Sequence, residues 1–139
     1  MNERGLRAAP LVGHFMRKRK LQPDVVLCSP AQRARQTAAL VIEAAGIKAA
    51  PRYDERIYEA SSIQLLEVVA QIETEAFEVM LVGHNPGMEG LLLALTGEVR
   101  RMPTAALACV ALNVEKWSDV RETGGQLEWL VKPKELAGD

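Results

Sequence analysis

Val25-Val26-Leu27-Cys28-Ser29-Pro30-Ala31-Gln32-Arg33-Ala34-Arg35-Gln36-Thr37-Ala38 passes from four apolar residues directly into a helix start. The quartet follows Pro23-Asp24 and has the unbroken apolar character of a buried parallel strand. Ser29 predicts an N-cap, Pro30 the first helical position, and Gln32 the return bond of a capping box. The helix is expected to run to about Ala45, with Gly46 as its stop.

The same pattern recurs on both sides. Ala49 to Tyr53 reads as another strand, and Ser61-Ser62-Ile63-Gln64 opens a helix to about Thr74. Val79-Met80-Leu81-Val82 is a second buried strand, followed by Gly83-His84-Asn85-Pro86 and a helix from Pro86 to about Leu95. Ala105 to Leu112 and Gln126 to Val131 read as the last two strands. Upstream, Glu3 to Lys20 has helical character, with apolar residues at Leu6, Leu11, Val12, Phe15 and Met16. Pro10 predicts a kink or a restart there, since proline lacks the amide donor. The closing Arg17-Lys18-Arg19-Lys20 reads as a solvated helix C-terminus favoured by the dipole, ahead of a nucleic-acid patch. Strands alternating with helices imply a layered α/β fold around a largely parallel sheet.

The 139 residues fit one domain, and we find no repeat, linker or low-complexity tract to divide residues 1–139. A formal charge of −1 argues against a nucleic-acid or anionic-membrane binder. Only 4% of residues are aromatic, so the core must be aliphatic. No apolar run approaches the ~20 residues of a membrane helix, and the polar start has no signal-peptide stretch, so a cytoplasmic location is expected. Cys28 and Cys109 read as small buried thiols.

Chemistry concentrates at two strand-to-helix junctions, because ligands in α/β sheets bind beyond the C-terminal ends of strands. Arg33 falls in the first turn of a helix, where free amides and the dipole favour an anion, and its planar fork suits phosphate. An ordinary surface arginine is the alternative. His84 sits between a buried strand and a proline-started helix, with Gly83 allowing close approach and Asn85 suited to the N-cap. A histidine there can donate to a phosphate oxygen or relay a proton; a structural histidine bonded to a carbonyl is the other reading.

The stretch Cys28 to Ala38 resembles the serine-proline, arginine-alanine, glutamine-threonine signature of the histidine phosphatase superfamily. Val82-Gly83-His84-Asn85-Pro86 resembles the segment carrying that family's second active-site histidine, and Asn2-Glu3-Arg4-Gly5 is similar to the turn opening its first helix. Arg56-Ile57-Tyr58-Glu59-Ala60 and Met102-Pro103-Thr104-Ala105-Ala106 look like the SixA-type phosphohistidine phosphatases in particular. The resemblance implies a phosphoglycerate mutase-like three-layer α/β/α sandwich and phosphohistidine, phosphoramidate or phosphomonoester hydrolysis through a phosphohistidine intermediate. By it, Arg33 binds the phosphoryl group, His84 stabilises its charge or moves a proton, and Asn85 and the Gly83 backbone complete the cradle. Glu59 lies near the acid of larger superfamily members, with little catalytic role expected. No metal or cofactor is implied. The partner is a phosphohistidine-bearing protein or a small phosphorylated substrate, and Arg100-Arg101 suggests anion steering near the rim.

One part of the pattern is absent. The family's nucleophile lies in an arginine-histidine-glycine (or alanine) motif ending the first, central strand. Neither of the two histidines here follows an arginine, and His14 reads as a plain helix residue. The domain is therefore expected to be N-terminally incomplete, with Met1 an internal methionine. The chain is expected to fold poorly alone, because a central strand buries apolar area comparable to a domain's whole net stability of about 5–15 kcal/mol. Two other functions stay open: a catalytically dead phosphate- or phosphohistidine-binding module, and an interaction protein whose sheet slot accepts a strand from a partner or second copy.

Overall fold

The computed structural model describes residues 3–121 and 124–136, so Asn2 of the expected opening turn lies outside it. Helix α1 (Glu3–Lys18) runs through Pro10 as one element, so the proline does not restart it. Its buried stripe of Ala8, Ala9, Val12 and Met16 spans both sides of the proline. The helix packs along α2 (Gln32–Ala45), although Pro10 forgoes a hydrogen bond. The approach is close at Gly13, where an added Cβ would lie 2.6 Å from the Ala44 Cβ and 2.8 Å from the Val41 carbonyl oxygen.

Strand β1 (Val25–Cys28) is parallel to β2 (Pro51–Tyr53) on one edge and to β3 (Val79–Val82) on the other. The β1–β3 register pairs Val25 with Val79 and Cys28 with Val82. It is clamped at the start of both strands by Asp24, whose carboxylate accepts the Phe77 and Glu78 amides at 2.7 and 3.0 Å. The Asp24 amide returns a bond to the Glu78 carbonyl at 2.8 Å.

Helix α3 (Ser62–Ala70) starts with the predicted capping box between Ser61 and Gln64. It stops short of Thr74 because its end tightens into i→i−3 bonds from Gln71 and Ile72. Helix α4 (Gly87–Thr96) follows β3. The last strands, β4 (Leu107–Leu112) and β5 (Gly125–Val131), pair antiparallel with an irregularity at Cys109/Val110, and a short α5 (Pro133–Leu136) closes the described chain.

The strands form two sheets, β2-β1-β3 and β4-β5. They nevertheless share the same helical layers. Met80 of β3 and Leu107 of β4 pack in one cluster with Ala9 and Met16 of α1. Val79 and Leu81 join Val110 and Leu112 in a second cluster with Leu65 and Val68 of α3 and Leu91 and Leu95 of α4. The Phe15 ring meets Trp129 edge-on at 5.2 Å, tying α1 across to β5. Helices on both faces of a mainly parallel strand set make the expected layered α/β fold. Its sheet is open between β3 and β4, where no strand lies among the described residues. That opening corrects one expectation: β1 is wholly buried, whereas β3 buries only Met80 and leaves its other three residues half-exposed.

Candidate active site

The C-terminal ends of β1 and β3 meet because the Ser29 amide donates to the Val82 carbonyl at 3.0 Å. Each strand then turns into a helix, and this brings Arg33 and His84 to one locus.

At the first junction the predicted cap is not the one used. Helix α2 begins at Gln32 with Ala31 as N-cap and no side-chain cap bond. Ser29 lies two residues earlier, fully buried, and is the one buried polar side chain among the described residues. Its Oγ accepts the Ala31 amide at 3.2 Å and lies 2.7 Å from His84 Nε2. The hydroxyl that sequence logic assigns to the helix is thus shared with the histidine. Arg33 sits in the exposed first turn of α2, where the predicted anion-binding amides also lie.

At the second junction the Asn85–Pro86 bond is cis, and Pro86 takes the N-cap position expected for Asn85. Asn85 still caps from one residue further out, its Oδ1 accepting the Glu89 amide at 3.2 Å. Its Nδ2 donates to the Met102 carbonyl at 2.6 Å. This brings Met102, the residue after Arg100-Arg101, beside the histidine loop.

The Arg56–Ala60 stretch, whose place relative to His84 the sequence did not indicate, lies over this loop. After the short helical turn Glu55–Ile57, residues 57–60 press on the two glycines flanking His84. A Cβ at Gly83 would come within 3.3 Å of Ile57 Cγ2 and 2.9 Å of Met88 Sδ, and one at Gly87 would strike the Ala60 carbonyl oxygen. The close approach predicted for Gly83 is therefore to protein. The Tyr58 ring stands edge-on to His84 at 5.9 Å, and Glu59 holds a left-handed backbone with φ of 50°. Asp54 braces the segment by accepting the Arg56 amide at 2.9 Å and its guanidinium at 2.6 Å. Tyr58 carried no recognisable signal in the sequence beyond its place in the resembling stretch.

The electrostatics follow from this packing. Burial lowers the His84 pKa from its ordinary 6.5, the Arg33 charge lowers it further, and Glu59 opposes both. Together these favour the neutral imidazole over the imidazolium. Cys28, beneath the site, donates its thiol to the Ser29 carbonyl at 3.2 Å and is pushed up to about 11 by burial, so it is no nucleophile. Cys109 is half-exposed where a buried thiol is expected, because β4 lies beside the sheet opening. His14 is exposed on α1, as its reading as a plain helix residue requires.

Comparison with known proteins adds three findings. Residues 1–79 match the family model described as "Histidine phosphatase superfamily (branch 1)". An uncharacterized protein of Mycobacterium leprae is 37% identical over 135 residues, covering 89% of this chain and 80% of the relative. One from Mycobacterium tuberculosis is 32% identical over 128 residues, covering 84% and 78%. Among solved structures, the putative phosphohistidine phosphatase SixA from Agrobacterium tumefaciens superposes with a TM-score of 0.81 at 31% identity, covering 96% of this chain and 82% of that one. Its counterpart from Nakamurella multipartitia gives 0.84 at 28% identity, with 96% and 84% covered.

Proposed function

Because this chain belongs to the histidine phosphatase superfamily, we propose that it forms the phosphoryl-binding part of a phosphatase acting on phosphohistidine or a related phosphoramidate or phosphomonoester. The observation that carries the reading is the convergence of the hydrogen-bonded His84 with the Arg33 charge at a helix N-terminus, beside an open sheet edge. The names of the SixA structures supply the substrate class.

Arg33 forks two phosphoryl oxygens while the free amides at the start of α2 take further negative charge. The Gly83 backbone and Asn85 hold the histidine loop around the same group. The acceptor is a histidine carried on a strand seated between β3 and β4, in the complete protein. Its imidazole nitrogen forms a bond to phosphorus as the substrate's P–N or P–O bond breaks and the leaving group takes up a proton. Water then cleaves the phosphohistidine and releases phosphate. Neutral His84 donates to the oxygens on which charge develops and exchanges the proton in either step.

A second reading, a non-catalytic phosphate-binding module, is favoured by one fact: no arginine-histidine pair occurs in these 139 residues. One experiment separates the two. The 139-residue chain and a version preceded by an apolar strand ending in Arg-His-Gly are each given phosphoramidate, with phosphate release followed by 31P NMR. The phosphatase reading expects turnover from the extended version alone, and a loss of at least ~100-fold on changing Arg33→Ala within it. Phosphate binding by both without turnover by either would establish the binding module.

A further inference from the structure

The Ser29 hydroxyl is unexplained by either strand or helix. It is fully buried, and a buried hydroxyl must place its one proton on an acceptor. The Ala31 amide, 3.2 Å away, is a donor and fills a lone pair of Oγ. The remaining partner among the described residues is His84 Nε2 at 2.7 Å. The two groups are 55 residues apart in sequence and are brought together by the β1–β3 register and the Ser29-to-Val82 bond.

We propose that Ser29 is the positioning residue for His84: its hydroxyl donates to Nε2, keeps the ring proton on Nδ1, and so makes Nδ1 the donor offered to a phosphoryl oxygen. The role assigned to that donor rests on the phosphatase reading above; the tautomer does not. Which imidazole nitrogen carries the proton is set by the bond the other nitrogen makes.

The same geometry resists protonation of the ring. An imidazolium would have to donate from Nε2, so Oγ would accept twice and its own proton would lose its acceptor. Ser29, at the end of β1, thus acts in the same direction as burial and the Arg33 charge on α2. Glu59 of the 57–60 segment acts in the opposite direction, and Tyr58 beside it presents only a ring edge.

The chain has two histidines, so long-range 1H–15N NMR of the full 139 residues reads each imidazole separately, with exposed His14 as an internal control. At pH 7.5, His84 should show a protonated Nδ1 and an acceptor-type Nε2, while His14 shows the usual Nε2–H majority. Ser29→Ala should return His84 to that majority form, raise its titration midpoint, and weaken binding of inorganic phosphate about three- to tenfold. Ser29→Thr, which keeps the hydroxyl, should restore all three. An Nε2–H tautomer in the wild-type chain overturns the proposal, and this reading needs no variant to fold. So does a Ser29→Ala spectrum in which His84 keeps its tautomer and midpoint. An Nδ1–H form in the wild-type chain, together with no phosphate release from the version carrying the added Arg-His-Gly strand, would sink the phosphatase reading and leave the positioning role standing.

Discussion

Strands β1 and β3 are near twins in sequence, Val-Val-Leu-Cys beside Val-Met-Leu-Val, hydrogen-bonded to each other residue by residue. Their environments differ sharply. β1 has a strand on each edge and is buried throughout, whereas β3 has one neighbour among the described residues and is half-exposed at three of its four positions. An unbroken apolar quartet is the composition of a strand covered on both faces. β3 therefore carries the residues of a central strand in the position of an edge strand. The same holds across the opening, where Leu107, Cys109 and Val110 of β4 are half-exposed although apolar. Composition reports the burial a strand is built for, and the shortfall here marks a place for one more strand.

The largest effect should come from removing the difference. A strand seated between β3 and β4 should bury three or four more apolar side chains at about 1.5–3 kcal/mol each. It should raise the melting temperature steeply and bring β3 amide exchange down to β1 rates. Exchange on β3 that stays fast after such an extension would show that the opening does not accept a strand.

Leu27 and Leu81 face each other in the register, so they sharpen the comparison at a single pair. In the 139-residue chain, Leu27→Ala should cost about 2–5 kcal/mol in urea unfolding. Leu81→Ala should cost about half as much, since its side chain is already partly in water. The two costs should converge once the opening is filled.

The next effect is on pH. The folded pKa of His84 lies below its ordinary 6.5, so the folded chain binds fewer protons than the unfolded one in the window beneath that value. The stability linked to neutral His84 is fully present above pH 6.5 and is lost as pH falls through the folded pKa. Melting temperatures should decline on acidification from pH 7, and His84→Gln should flatten that decline. Smallest of all, Glu59→Gln should lower the His84 midpoint slightly by removing the one neighbouring charge that raises it, measured by the same NMR titration.

Much of this was legible from local signals. The helix stop at Gly46, the Ser61–Gln64 capping box and the first two parallel strands follow from short-range chemistry that tertiary packing leaves alone. The junctions placed Arg33 and His84 at adjoining strand ends for the same reason. Other features depend on partners distant in sequence. Ser29 is a good N-cap by its neighbours, yet His84, 55 residues on, takes its hydroxyl. Proline tends to end a helix, yet α1 runs through Pro10 with buried residues on both sides of it. What the sequence did not show of residues 57–60 is their place against His84, because that rests on the close approach of Ile57 to Gly83 and of Ala60 to Gly87.

The Asp24 clamp gives the site an unusual dependence. Strand alignment is set at the far end, about 13 Å away along four residues, while the Ser29–His84 pair reads that alignment out at the near end. The two strands act as a pair of rulers pinned at a common zero. A change at Asp24 would detune the imidazole without approaching it, so a variant with every pocket residue intact would lose the site through a carboxylate at the opposite end of the strands.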